Sequence, residues 1–221
     1  MSRFISEVIR DFPPFVLYGS GDFHHVSAAL VAKSAASKVV IFDNHPDWDV
    51  RPPHWACGGW VNRAFDAPHV KRVAVWGCGN FELNWPARIF GNRRVDVYGW
   101  TERYPKRGRI SRDNWRAQFE SFAKSIEGPV YVSVDMDCLR DAATNWENGL
   151  FTADDIAWAI CRLKNVNAGD ICGAYSLPVY ARRRQRFAAE WDHPKLPPCD
   201  VAEARAINTA AVETIWPALS R

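Results

Sequence analysis

The sequence lacks any run of about 18 consecutive apolar residues, the length that a membrane-spanning helix needs. Its amino-terminal segment, MSRFISEVIRDFPP, also lacks the apolar centre of a signal peptide. These two absences predict a cytoplasmic protein without a membrane partner.

A strong charge imbalance is also missing, since 28 basic residues stand against 25 acidic ones and the formal net charge is +3. Such a mixed surface does not predict a nucleic-acid partner. The local exception is the run Arg182-Arg183-Arg184-Gln185-Arg186. It reads either as a solvated surface or as a clamp for an anionic substrate or a nucleic-acid phosphate, and the solvated reading is the commoner one.

Paired cysteines at Cys-x-x-Cys spacing do not occur, which argues against a zinc ribbon or a redox pair. The six cysteines are therefore expected to be buried free thiols. They are Cys57, Cys78, Cys138, Cys161, Cys172 and Cys199.

The chain has no internal repeat, linker or low-complexity tract. Its 221 residues, 48% of them apolar, can bury one substantial core but are few for two domains. We therefore predict that residues 1–221 form a single domain. The sequence leaves the oligomeric state open, a homo-oligomer included.

Short apolar segments alternate with helical ones along most of the chain. Strands are predicted at residues 15–20, 38–43, 72–77, 94–99, 129–135 and 169–179, and helices at 26–37, 110–126, from Thr152 onward, and 201–219. This alternation predicts a three-layer α/β/α fold with a mostly parallel central sheet.

Acidic and imidazole side chains follow three of these strands. They are Asp22, His24 and His25 after the first, Asp43, His45 and Asp47 after the second, and Asp135 and Asp137 after the fifth. Ligands bind at the carboxyl ends of parallel strands, and residues i, i+2 and i+4 of an extended segment point the same way. These side chains are therefore expected to converge.

Carboxylates buried close together are costly unless cations neutralise them. A donor set of carboxylates with one or two imidazoles suits manganese, with zinc or iron as alternatives. Each piece has a simpler explanation, because Asp43 and Asn44 are ordinary turn formers and His24 and His25 could be a cap and a surface histidine. All three strand ends together favour a metal site.

Three segments resemble signatures of the arginase–agmatinase (ureohydrolase) family. The family's Gly-Gly-Asp-His turn, Asp-x-His-x-Asp loop and Ser-x-Asp-x-Asp strand end resemble Gly21-Asp22-Phe23-His24-His25, Asp43-Asn44-His45-Pro46-Asp47 and Ser133-Val134-Asp135-Met136-Asp137. Their order and rough separation also match, over residues 15–179. The first match is imperfect, because Phe23 stands between Asp22 and the histidines.

The resemblance implies an arginase-like fold with two Mn²⁺ ions, Zn²⁺ or Fe²⁺ being alternatives. The implied ligands are His24 or His25 from the first turn, with His24 preferred, and Asp43, His45, Asp47, Asp135 and Asp137. It also implies hydrolysis of a C–N bond in a small-molecule substrate, of guanidino, formimino or amide type, by a metal-bridging hydroxide.

The chain also departs from the family pattern at positions that bear on catalysis and substrate binding. The family's His-Gly pair is matched by Cys57-Gly58, with His54 three residues earlier, so His54 and Cys57 are the candidate catalytic residues. The family's guanidinium-binding glutamate has no counterpart in residues 170–176, which predicts that arginine and agmatine are not the substrates. A single-zinc deacylase and a non-catalytic metal-binding protein remain alternatives.

Overall fold

The computed structural model describes residues 7, 9–51, 56–177, 183 and 199–221. Within them, six strands form one parallel sheet in the order β1-β6-β5-β2-β3-β4. The strands are β1 (Phe15–Leu17), β2 (Lys38–Phe42), β3 (Arg72–Cys78), β4 (Val95–Gly99), β5 (Val130–Asp135) and β6 (Val166–Cys172).

Helices cover both faces of this sheet, and successive strand residues point to opposite sides. Val40 and Phe42 face a core that includes Phe119, whereas Val39 and Ile41 face a core that includes Val61. The α-helices of the described part are α1 (Ser27–Lys33), α2 (Trp60–Ala64), α3 (Trp115–Lys124), α4 (Ala153–Ile160) and α5 (Val201–Leu219). The first core contains residues of α3, α4 and α5, and the second contains residues of α1 and α2. The predicted three-layer α/β/α fold is confirmed.

Helix α4 begins where the sequence predicted a start. The Thr152 side chain accepts a hydrogen bond from the Asp155 backbone N–H at 3.1 Å, and the Asp155 carboxylate accepts one from the Thr152 backbone N–H at 3.0 Å. This reciprocal capping box satisfies two backbone donors that the first turn of a helix leaves unpaired.

Strand β6 differs from its prediction, because it begins at Val166 rather than at Gly169 and ends at Cys172. Gly169, the predicted first residue, lies inside the strand. A Cβ there would lie 2.6 Å from the Val132 carbonyl oxygen of β5, so the close approach of the two strands requires glycine. Gly173, with φ of +92°, follows the last residue of the strand.

All six cysteines are free, and Cys78, Cys138 and Cys172 are buried. The expectation of burial is wrong for Cys161, which is exposed near the end of α4, and Cys57 and Cys199 are only half-buried. In the part of the chain that the structure describes, no helix combines the length and apolarity that crossing a membrane requires.

Candidate metal centre

The carboxyl ends of β2 and β5 lie side by side in the sheet and carry the acidic residues of the site. Asp43 directly follows β2, and Asp135 ends β5, with Asp137 in the 3-10 turn Met136–Cys138. The 3-10 turn Gly21–Val26 brings His24 to the same place. This is the edge of a parallel sheet at which loops converge and ligands bind.

His24 is the centre of one group of donor atoms. Its Nδ1 lies 3.3 Å from Asp43 Oδ2, 3.2 Å from Asp47 Oδ2 and 3.2 Å from Asp135 Oδ2. All four residues are at least 95% buried. One imidazole nitrogen and three carboxylate oxygens therefore meet at a largely buried site.

His45 belongs to a second group. Its Nδ1 lies 2.8 Å from Asp137 Oδ2 and 3.6 Å from Asp43 Oδ1. Asp43 thus turns one oxygen to each histidine, and His24–Asp43–Asp47 and Asp43–His45–Asp137 are two potential ligand triads that share it. A shared carboxylate is the arrangement that bridges two cations.

The donor atoms fit divalent cations. Asp43 Oδ2 is buried and accepts no hydrogen bond from any described residue. A buried carboxylate oxygen left in this way is costly unless an ion completes its partners. Carboxylates with two imidazoles are also a donor set that manganese accepts.

The electrostatics of the metal-free site point the same way. Burial, reinforced by the Asp43 charge, raises the pKa of Asp47 to about 6. Burial and the neighbouring Asp135 raise the pKa of Asp137 well above its ordinary value. Burial works against the charged imidazolium of His45, but Asp137 outweighs it and holds the pKa of His45 well above its ordinary value. Without cations, therefore, the folded site retains protons that its side chains would otherwise lose.

A chain of hydrogen bonds behind His24 fixes its ring. His24 Nε2 lies 3.0 Å from Ser133 Oγ, and Ser133 Oγ donates to Asp170 Oδ1 at 2.8 Å. Asp170 also accepts hydrogen bonds from Ser27 and Tyr131. Because the Ser133 hydroxyl proton goes to Asp170, Ser133 accepts from His24 Nε2–H, which leaves the Nδ1 lone pair for a cation.

The structure separates the two histidines that the sequence could not. His24 lies in the cluster, whereas His25 Nδ1 lies 3.2 Å from the Asp22 backbone oxygen, and His25 is in none of the metal-ligating groups found among the described residues. Of the seven proposed ligands, the structure brings together His24, Asp43, His45, Asp47, Asp135 and Asp137.

The two candidate catalytic residues have different outcomes. Cys57 lines a pocket of about 90 Å³ that opens beside the site. Burial raises the pKa of its thiol to about 12, with Asp47 adding to the effect. His54 lies outside the described residues, as do Arg182 and Arg184 of the basic run.

The sequence analysis did not identify two groups at the site, the Glu82 carboxylate and the Cys172 thiol. Glu82 lines the same pocket, and Cys172 donates a hydrogen bond to Asp135 Oδ2 at 3.7 Å. Burial holds the pKa of Cys172 well above its ordinary value, so it remains a thiol. Glu82 lies four residues after β3, the strand that pairs with β2. The strand-end rule, applied to β3, would have found it.

The sequence offers Glu190 and Glu203, farther along the chain, as replacements for the missing glutamate after β6, and Glu190 lies outside the described residues. A Cβ at Gly173 would collide with the Asp135 carboxylate. Glu203 does not replace it, since it lies exposed in the first turn of α5 and away from the pocket.

Several solved structures of low sequence identity share this fold. An arginase from Bacillus caldovelox has a TM-score of 0.59 at 15% identity, with 99% of this chain and 72% of that chain covered. An agmatine ureohydrolase of Thermoplasma volcanium has 0.56 at 17%, with 98% and 66% covered. A formimidoylglutamase from Bacillus subtilis has 0.53 at 18%, with 72% and 52% covered. The chain therefore has the arginase-like fold, and the resemblance seen in the three motifs is confirmed at that level.

Among curated proteins, an uncharacterized protein of Thermotoga maritima is 28% identical over 160 residues. The match covers 70% of this chain and 55% of that protein, so the chain matches little more than half the length of this relative. No family model matches the chain.

Proposed function

We propose that the protein is a metal-dependent hydrolase that cleaves a C–N bond of guanidino, formimino or amide type in a small molecule. The observation that carries this proposal is Asp43, whose two buried oxygens face the two histidine-centred donor groups. Arginase, agmatine ureohydrolase and formimidoylglutamase share the fold, which supports the reaction class.

We assign the following roles to residues of the chain. His24, Asp47 and Asp135 would hold one cation, His45 and Asp137 the other, and Asp43 both. Two bound dications, manganese in our proposal and zinc or iron otherwise, would lower the pKa of a shared water and supply a nucleophile at neutral pH. Asp170, through Ser133, would keep the His24 ring in place.

Substrate choice follows from Gly173. A guanidinium cation bound beside two dications needs a nearby carboxylate to offset repulsion and to accept its N–H donors. The position after β6 cannot supply one, because Gly173 has no room for a side chain beside Asp135. We therefore propose that arginine and agmatine are poor substrates.

The test is elemental analysis of the manganese-loaded protein together with turnover on guanidino, formimino and acetylamide compounds. We expect two ions per chain and turnover of at least one compound class, with little urea released from arginine or agmatine. One zinc ion with deacetylation would favour the single-zinc deacylase instead. Two ions with no turnover would favour a non-catalytic metal-binding protein. Turnover of arginine near the usual enzyme median of about 10 per second would refute the substrate proposal.

A further inference from the structure

Glu82 is a half-buried acid whose Oε2 atom has no hydrogen-bond partner in the described part of the chain. It sits in the 3-10 turn Phe81–Leu83, where the Asn80 side chain caps its backbone N–H at 2.6 Å. Its Oε2 is buried and has no hydrogen-bond partner among the described residues. In the same part of the chain, no lysine or arginine forms an ion pair with it. Neither a hydrogen bond nor an ion pair of this kind therefore offsets the cost of removing the carboxylate oxygen from water.

The pocket that Glu82 lines is that of the metal centre, since its wall also includes Asp43, His45, Asp47, Asp135 and Asp137. Once these proposed ligands are set aside, the titratable groups left among the described lining residues are Cys57 and Glu82. A C–N hydrolase needs such a group, because the departing nitrogen must receive a proton.

Cys57 is poorly suited to that task. With a pKa of about 12, its thiol is a weak acid that keeps its proton at neutral pH. Glu82 lies beside the same segment, for a Cβ at the neighbouring Gly58 would be 4.0 Å from Glu82 Oε1. Glu82, which follows β3, thus lies beside the Cys57-Gly58 pair in the wall of the same pocket.

We propose that Glu82 is the proton-transfer residue of this site. The inference rests on the proposed function. As water adds to the substrate carbon and the C–O bond forms, the Glu82 carboxylate takes up the proton that the water loses. When the C–N bond breaks and its electron pair leaves with nitrogen, Glu82 gives that proton to the nitrogen. The site therefore ends the cycle as it began.

The electrostatic surroundings support this role. Burial, with Asp47 adding and His45 opposing, raises the pKa of Glu82 to about 8 in the metal-free protein. Cations bound at the ligands would lower it toward neutrality, the range in which a group both gives and takes a proton. Asp49 and Asp43 also raise the pKa of Glu82. The Glu82 charge in turn raises the pKa of Arg51 and of Cys78.

The experiment compares Glu82→Gln with the wild type on the compound that the wild type turns over best, with manganese content measured for both. Glutamine keeps the shape and cannot transfer the proton. We expect unchanged metal content, a fall in kcat of about 10²- to 10⁴-fold, and a KM within about threefold of the wild type. The limb of the kcat–pH profile that reports this acid should disappear, and Glu82→Asp should retain it with reduced kcat. Glu127→Gln, an exposed glutamate outside the pocket, is the matched control and should leave all these quantities unchanged.

A Glu82→Gln variant with raised KM and unchanged kcat would overturn the inference in favour of substrate binding. Loss of manganese would overturn it in favour of a ligand role. Unchanged kinetics would overturn it while the proposed function stands. A wild type that binds two ions and turns over no compound would overturn both. Should Glu82→Gln fail to fold, by circular dichroism, the Glu82→Asp profile decides: a preserved, shifted limb supports the inference and an unaltered profile and rate overturn it.

Discussion

The single residue on which the site depends most is Asp43, because it is the one ligand that both donor groups use. Burial opposes its charge, but the neighbouring imidazoles of His24 and His45 outweigh burial and lower its pKa to about 2. Asp43 is therefore ionised even in the metal-free protein, whereas Asp47 and Asp137 hold their protons more tightly. Cation binding must displace those protons.

Removing one of the other carboxylates should abolish metal binding while it changes the stability of the metal-free protein only a little. We expect Asp137→Ala to lose manganese, since Asp137 is within 2.8 Å of His45 Nδ1 and has no neighbour to replace it in that triad. Its metal-free form should be destabilised less than the 3 to 5 kcal/mol or so usual for breaking a buried pair, because repulsion with Asp43 and Asp135 is relieved.

Metal content after dialysis and urea unfolding in the presence of a chelator measure these two effects, with Asp135→Ala as a second test. Asp113→Ala, an exposed acid before α3, is the control and should change neither. Parental metal content in both site variants would contradict the assignment of these ligands.

The hydrogen bonds behind His24 make a second prediction. Asp170→Asn keeps the shape of the side chain but removes the charge that orders the Ser133 hydroxyl. We expect about 10- to 100-fold weaker manganese binding, the usual effect of altering a group that orients a ligand. Titration of the metal-free protein with manganese measures this affinity.

Ser27→Ala is the matched control for this variant. It removes one of the donors to Asp170, at 2.9 Å, without touching the contact between His24 and Ser133. Manganese affinity should therefore stay close to that of the wild type. Equal losses in both variants would mean that general packing, and not the orientation of His24, explains the effect.

Among the elements, α4 stabilises the sheet face away from α1 and α2, and its start depends on the capping box. Thr152→Ala should cost about 1 kcal/mol of unfolding free energy, because it leaves a first-turn N–H without its partner. Manganese affinity should not change, since α4 contributes no residue to the pocket. Thr214→Ala, on the exposed face of α5, serves as control. A loss in Thr152→Ala no larger than that of the control, in chemical unfolding, would argue against the cap.

Local patterns predicted the elements whose structure is determined by their own residues and by near neighbours in the sequence. Buried parallel strands read as continuous apolar runs, as in Val39 to Phe42, and the cap at Thr152 needs a neighbour only three residues away. The extent of β6 was not predictable in this way, because Gly169 is needed for an approach to Val132, a residue of another strand. The choice between His24 and His25 likewise depends on how the turn Gly21–Val26 packs.

At the scale of the whole molecule, the clustering of the candidate ligands was predictable because each of them follows or ends a strand, and the strand order brings these strand ends together. Glu82 follows the predicted strand β3, so the same rule points to it, and the pairing of β3 with β2 shows that its turn opens onto the same pocket. Asp170 was missed as part of the site because its role depends on Ser133, which lies on the neighbouring strand.

The stability of the whole molecule should depend on metal and pH together. In the metal-free protein the pKa of His45 is raised, as are those of Asp47, to about 6, and Glu82, to about 8. The folded state therefore binds more protons than the unfolded one between roughly pH 4 and 8, and stability falls as pH rises through these values. The lowered pKa of Asp43 acts only below about pH 4, outside this window.

Metal binding has the opposite dependence, because ligands must be deprotonated to bind and ions displace their protons. We therefore expect the increase in Tm on adding manganese to grow as pH rises from about 5.5 to 8, the stabilisation at 100 times Kd being about 2.7 kcal/mol. Thermal unfolding with chelator and with manganese, at several pH values, measures it. Asp137→Ala should show a small increase at every pH. An increase in the wild type that stays constant or shrinks with pH would contradict the proton–metal exchange that the buried acids imply.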